Sequence, residues 1–244
     1  MTLVGRTVPL IMTAQRSVHM KLMLFDIDGT LVRANGRTRE AVEKALSNLV
    51  GRQLDTEPVR FSGKTDLQIM SEIFDVNNVT ADTTLVRQAL DVYVNVAHPS
   101  MQPSDVNVLP GVRPLLQHLA ERADVRLALV TGNVEAMAYR KLEVVNLDGF
   151  FNVGAFGCDH ADRNRLPGLA VDRVFETTGV RFDASAVTVI GDTKRDIECS
   201  RAAGARAVAV CTGHFSRDEL HPHAPDALLD DLASMPKTLS ALGL

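Results

Sequence analysis

A chain of 244 residues with 45% hydrophobic side chains has enough apolar material for one large domain, or for a core domain with a smaller companion. Its formal net charge of -4 leaves no basic surplus to neutralise a nucleic-acid backbone, so nucleic acid is excluded from the expected partners. No stretch approaches the roughly 20 uninterrupted apolar residues of a membrane-spanning helix, and Cys158, Cys199 and Cys211 lie outside any metal-ligand spacing, so a soluble, cytoplasmic protein with reduced, packed thiols is expected.

Residues 1–19 hold one short apolar patch, Val8 to Met12, with Pro9 inside it and no cleavage site, and read as a flexible N-terminal extension rather than a signal peptide. LMLFDIDGTLV, residues 22–32, opens the folded part. A short continuous apolar run closed by turn residues is the mark of a strand buried on both faces, so 22–27 is predicted to be one. Between 33 and 109 the pattern turns helical, without a buried strand. Helices are predicted over 38–50 and 82–97, and a third begins at Thr65-Asp66-Leu67-Gln68, which has the form of a capping box. Leu109-Pro110-Gly111 marks a hinge before a helix over 112–121. Apolar runs at 125–131, 150–156, 186–192 and 205–212 then alternate with helical segments at 134–145, 168–179 and 194–203. That alternation implies a doubly wound, Rossmann-like α/β core with a parallel sheet, made of 20–32 and 110–244. The all-helical unit of 33–109 is expected to be a smaller cap over the crevice at the carboxyl ends of the strands.

Three strand ends converge on that crevice: Asp26 and Asp28, then Thr131-Gly132-Asn133, then Gly191-Asp192. DIDGT at 26–30, TGN at 131–133 and GDTKRD at 191–196, in this order and each after an apolar strand, resemble the signature of the haloacid dehalogenase superfamily in its phosphatase branch. The resemblance spans residues 20–244. It implies that Asp26 is the nucleophile and a Mg²⁺ ligand, that Asp28 is the acid/base and binds metal through its backbone carbonyl, and that Asp192 is the third ligand. Asp196 is expected to hold a metal-bound water or steady the site from behind. Thr131 and the backbone N–H groups of Gly132 and Asn133 are expected to hold the phosphoryl group near a helix N-terminus.

The chemistry agrees with those assignments. A phosphomonoester is anionic and repels a carboxylate nucleophile, so a cation and well-placed donors are required. Attack by Asp26 would give an aspartyl phosphate, and Asp28 could protonate the leaving oxygen and later accept a proton from water. Gly29 permits close backbone approach, and Thr30 can bond locally to orient the acid.

A lysine that usually balances the acids is absent from DHADRNRLPGLAVDRVFETTGV; counting back from Gly179 places Arg165 there, with Arg163 as the alternative. RFSGKTD, residues 60–66, resembles the cap loop of phosphoglycolate-phosphatase-like members, so Arg60 and Lys64 are candidates for reading the leaving group, as are Arg33 and Arg37. Plainer roles stand beside these: turn formation for the Asp pair, an N-cap for Thr131, a first-turn helix acid for Asp196. The function implied is Mg²⁺-dependent hydrolysis of a small, phosphoglycolate-like phosphomonoester. A sugar phosphomutase of the same fold, or a non-catalytic phosphate-binding or regulatory protein, are the alternatives. Monomer and homodimer are both compatible with the sequence.

Overall fold

The computed structural model describes residues 20–244, so the expectation for the N-terminal extension lies outside the described residues. The chain runs β1 (Lys21–Phe25), β2 (Val32–Ala34), α1 (Arg37–Val50), α2 (Asp66–Val76), α3 (Thr83–Ser100), β3 (Val106–Val108), α4 (Val112–Ala120), β4 (Val125–Val130) and α5 (Glu135–Glu143). It continues through β5 (Gly154–Ala155), α6 (Leu166–Thr178), β6 (Val187–Gly191), α7 (Lys194–Ala202), β7 (Arg206–Val210), α8 (Arg217–Leu220), β8 (Ala227–Leu229) and α9 (Met235–Leu242).

Six strands form a parallel sheet in the order β5-β4-β1-β6-β7-β8. Strand β1 is central because both its faces are covered. Side chains alternate across a strand, so Met23, Phe25 and Ile27 enter the apolar layer beneath α4 and α5 while Leu22 and Leu24 enter the layer beneath α6. Such a strand carries no polar residue until its carboxyl end, which is why the run of 22–25 is uniformly apolar. The sheet grows from β1 in both directions, and the crevice beyond β1 therefore opens at the point where the winding reverses.

Helices α1 to α3 bury a second apolar cluster around Leu46, Met70, Phe74, Leu90 and Tyr93. Val134 and Met137, at and beyond the cap of α5, belong to the same cluster, so the helical unit rests on the core through side chains of the core itself. Half of the expected capping box forms: Thr65 Oγ1 accepts from Gln68 N–H at 3.2 Å, but the Gln68 side chain turns to Glu72 at 2.9 Å instead of reaching back to the Thr65 N–H.

The structure corrects the expectation of a strandless insertion. Strands β2 and β3 pair antiparallel, Val32 with Val108, as a two-stranded neck through which the chain leaves and re-enters the core. Three-residue strands offer too short an alternation to be legible as a period. The run 150–156 likewise contributes only two strand residues; Phe150 closes a 3₁₀ turn and Phe151 packs edge-on against Phe25 at 6.1 Å. Its hydrophobicity serves aromatic packing more than pairing.

Candidate active site

The turn after β1 builds the first part of the site. Asp26 N–H donates to the Ile190 carbonyl at 2.9 Å, which registers the end of β1 against the end of β6. The chain then wraps tightly, with Leu31 and Val32 N–H donating to the Ile27 carbonyl. Gly29 sits at φ +82°, and a β-carbon there would lie 2.4 Å from Asp192 Oδ2, so only glycine lets the two loops approach. Thr30 is fully buried and its hydroxyl has no partner, so it does not orient Asp28 as the sequence suggested; the loop is tied instead by Thr212 Oγ1 donating to the Gly29 carbonyl at 2.6 Å.

Asp26, Asp192 and Asp196 are all buried, and one carboxylate oxygen from each lies within 4.8 Å of the others. Asp196 is already committed. One of its oxygens accepts from Thr193 N–H and Oγ1 at 2.9 and 2.7 Å, and the other meets the Arg163 guanidinium. Asp192 differs, because its Oδ1 is buried with no hydrogen-bond partner. An orphaned buried carboxylate oxygen is costly without a cation. Burial pushes the Asp26 carboxyl up to about 7, with Arg163 opposing and Asp196 and Asp28 adding to the rise; Asp192 is raised well above the carboxylate range, chiefly by burial. An all-oxygen donor set of this kind fits a hard divalent cation.

Arg163 supplies the positive charge facing these acids. It is buried, and its Nη2 reaches Asp26 Oδ1 at 2.9 Å as well as Asp196 Oδ1. Arg165 is exposed, which corrects its assignment to this position. The reason is local: 163–165 form a 3₁₀ turn, begun by Asp162 accepting from Asn164 N–H at 3.0 Å, and residues two apart on such a turn face different ways.

The loop after β4 supplies the donors. Thr131 is fully buried, and its Oγ1 accepts from the side chain of Asn133 at 2.8 Å. It does not cap α5, whose N-cap is Val134. Asn133 Nδ2 donates to Asp28 Oδ2 at 2.7 Å. Lys141, not singled out in the sequence, donates to the same Asp28 oxygen at 2.6 Å and to Asn133 Oδ1 at 2.7 Å. Its signal was its position: Met137, Ala138, Lys141 and Leu142 are the buried stripe of α5, and a lysine on an apolar stripe needs a buried partner.

These groups, apart from Asp196, line one crevice of about 610 Å³ whose far wall comes from the cap, including Arg39, Phe61, Lys64 and Ile69. Lys64 faces it, but its ammonium is paired with Glu72. Arg60 is exposed and does not line the crevice, which corrects its candidacy. Phe61 turns inward beneath the Arg39 guanidinium, 4.3 Å from its ring, and leaves Arg60 facing out. Arg33 donates to the Thr212 carbonyl at 2.6 Å, and Arg37, largely exposed, lies 3.7 Å from Asp105. Asp66 was also missed. Its carboxylate accepts from Val134 N–H at 2.7 Å while its own N–H donates to the Gly132 carbonyl at 2.7 Å, so the start of α2 is fastened to the Thr131–Asn133 loop.

A central parallel sheet with acids at its carboxyl edge and a helical cap above them defines a class of hydrolase fold, and comparison with known proteins agrees. The family model for haloacid dehalogenase-like hydrolases matches residues 23–210, and the chain belongs to that family. It is 28% identical over 215 residues to a phosphoglycolate phosphatase of Pseudomonas syringae pv. tomato, covering 87% of this chain and 77% of that one. A phosphoglycolate phosphatase of Rhodospirillum rubrum is also 28% identical, over 222 residues, with 88% of this chain and 89% of the relative covered. Among solved structures the fold resembles a hydrolase from Pseudomonas syringae (TM-score 0.69, 18% identity, 91% of this chain and 98% of that one). It also resembles CbbY from Rhodobacter sphaeroides, solved in complex with phosphate (TM-score 0.67, 18% identity, 92% and 100%). Among the described residues no helix is long and apolar enough to cross a membrane.

Proposed function

We propose that this chain is a Mg²⁺-dependent phosphatase that hydrolyses a small organic phosphomonoester of the phosphoglycolate kind through an aspartyl-phosphate intermediate. The observation that carries the reading is the juxtaposition, in one crevice, of buried Asp26, buried Asp192 with its orphaned oxygen and Asp28, whose side chain is 40% exposed, with the buried Asp196 carboxylate within 4.8 Å of the first two. The family and the phosphoglycolate phosphatases it resembles support the same reaction class.

In this reading Asp26 attacks phosphorus and Asp28 gives a proton to the departing oxygen. The intermediate is then hydrolysed by water, whose proton returns to Asp28. Thr131 and the backbone N–H groups of Gly132 and Asn133 hold the transferring group, and Arg163 opposes the protonation of Asp26 that burial favours and fixes its carboxyl group in place. Mg²⁺, held by Asp26, Asp192 and the backbone carbonyl of Asp28 with Asp196 behind them, would cancel the repulsion between nucleophile and phosphate. On the cap side, Lys64 is the candidate that faces the leaving group.

The test is phosphate release from a panel of phosphomonoesters, phosphoglycolate and sugar phosphates included, with Mg²⁺ or with chelator. Metal-dependent release by the wild type that Asp26→Asn removes is the expected result. A folded, Mg²⁺-loaded protein that releases phosphate from none of them would overturn the reading, and conversion of one sugar phosphate into its isomer without release would identify a mutase.

A further inference from the structure

Lys141 is 2% exposed, sits on α5 outside the three motifs, and has no part in the reaction outlined above. Its ammonium, which only donates, meets two acceptors: Asp28 Oδ2 at 2.6 Å and Asn133 Oδ1 at 2.7 Å. That contact fixes which way the Asn133 amide points, so Nδ2 faces Asp28 Oδ2 at 2.7 Å and Thr131 Oγ1 at 2.8 Å. The result is a closed set of contacts linking the carboxylate on the loop after β1 to the loop after β4. Asp28 has little else to hold it, since its side chain is 40% exposed at the crevice.

We infer that Lys141 is a positioning residue for proton transfer: it clamps Asp28 to Asn133, so that the acid/base carboxylate and the phosphoryl-holding loop keep one separation through both half-reactions. Both donors converge on Oδ2, which leaves Oδ1 to carry the transferred proton. That proton passes to the leaving oxygen as its bond to phosphorus breaks, and Oδ1 takes one back from the attacking water. The inference rests on the phosphatase reading and adds a residue to it. Arg163 already pairs with Asp26, so a second buried cation aimed at Asp28 has its own task.

Lys141→Met removes the charge while keeping most of the volume. With an alkyl phosphate, kcat should fall on the order of a hundredfold with KM changed by less than about threefold, since positioned acid–base groups contribute about 10²–10⁴. With 2,4-dinitrophenyl phosphate the leaving group needs no proton. The variant should then release about one equivalent of phenol in a fast burst and turn over slowly, because the water step still needs Asp28. In an Asp28→Asn background the same substitution should add almost nothing, as expected for residues acting as a unit. A raised KM at unchanged kcat, or equal loss of burst rate and turnover with both esters, would overturn the inference and mark Lys141 as a phosphate contact or a purely structural group. A crystal structure of Lys141→Met, or of Lys141→Gln if the first variant does not fold, tests the clamp without activity: Asp28 should leave Asn133, and an unmoved Asp28–Asn133 contact sinks the idea. An inactive wild type would count against the phosphatase reading, whereas an active wild type with an indifferent Lys141→Met would count against this one.

Discussion

Arg163 approaches Asp26 and Asp196 with a single nitrogen, Nη2, while its Nε is buried without a partner and its Nη1 reaches only the Gly63 carbonyl, at 3.4 Å. The fork of the guanidinium is therefore unused toward the acids, and the contact is of the point-charge kind that an ammonium also makes. Arg163→Lys should keep most of the stability and a measurable fraction of phosphatase activity. Arg163→Met leaves buried carboxylates without their counter-charge, and should cost about 3 kcal/mol or more in metal-free protein near neutral pH. Arg165→Ala, an exposed change, should stay within about 0.5 kcal/mol. Denaturant midpoints and phosphate release check all three, and a costly Arg165→Ala would refute the placement. Residue chemistry could not choose between 163 and 165, because both are arginines and the choice depends on a one-turn 3₁₀ segment that precedes α6. Asp26, Asp28 and Asp192 were legible because each follows a buried, mostly apolar strand; Lys141 and Asp66 were not, because their partners lie 113 and 68 positions away in the chain.

At the scale of elements, the start of α2 is bound to the core by its own unpaired first-turn groups. Asp66 N–H bonds the Gly132 carbonyl at 2.7 Å, Leu67 N–H bonds Gly157 at 3.3 Å, and Thr65 Oγ1 bonds the Ala161 carbonyl at 2.7 Å. The Asp66 carboxyl is pushed up to about 6, first by burial, with the Val134 N–H and Lys141 opposing. The folded state thus binds more protons than the unfolded state between about 4 and 6. Stability from this group is greatest below that window and declines as pH rises through it, by up to about 3 kcal/mol. Asp66→Asn keeps an acceptor for Val134 and cannot ionise, so its advantage over the wild type should grow from pH 4 to pH 7. Urea midpoints of the two proteins measure this, and parallel curves would rule it out. The fit of α2 is also tight: a β-carbon on Gly132 would lie 2.0 Å from the Lys64 carbonyl, so Gly132→Ala should loosen the cap and lower phosphatase activity without abolishing the core fold. Helices α1 and α3 were readable from their apolar stripes, and the start of α2 from its Thr65 N-cap. The neck strands β2 and β3 were not, since three residues pair only by virtue of the fold around them.

Across the fold, the winding of the sheet brings Asp26, Asp28, Asp192 and Asp196 to one edge, and among the described residues the cations ion-paired with them are Lys141 and Arg163. Four acids against two cations leave two negative charges in a largely buried site, the complement of one divalent cation. Without metal, the site should relieve that excess by holding protons: burial raises Asp26 to about 7 and Asp192 well above the carboxylate range. Protons bound in the fold but not in the unfolded chain stabilise it at low pH, and that contribution fades as pH climbs from about 4 to about 7. A cation binds the ionised form, so it competes with those protons. Mg²⁺ should therefore raise the melting temperature little at pH 5.5 and much more at pH 8, where free Mg²⁺ at a hundred times its dissociation constant adds about 2.7 kcal/mol. Asp192→Asn should remove most of that pH-dependent gain while leaving the metal-free protein at least as stable, because the buried oxygen without a partner no longer carries charge. Thermal melts with Mg²⁺ or with chelator at the two pH values decide the matter. An equal Mg²⁺ effect at both would mean that the acids are already ionised at pH 5.5, before metal arrives, and that the edge of the sheet carries its two excess negative charges without bound protons.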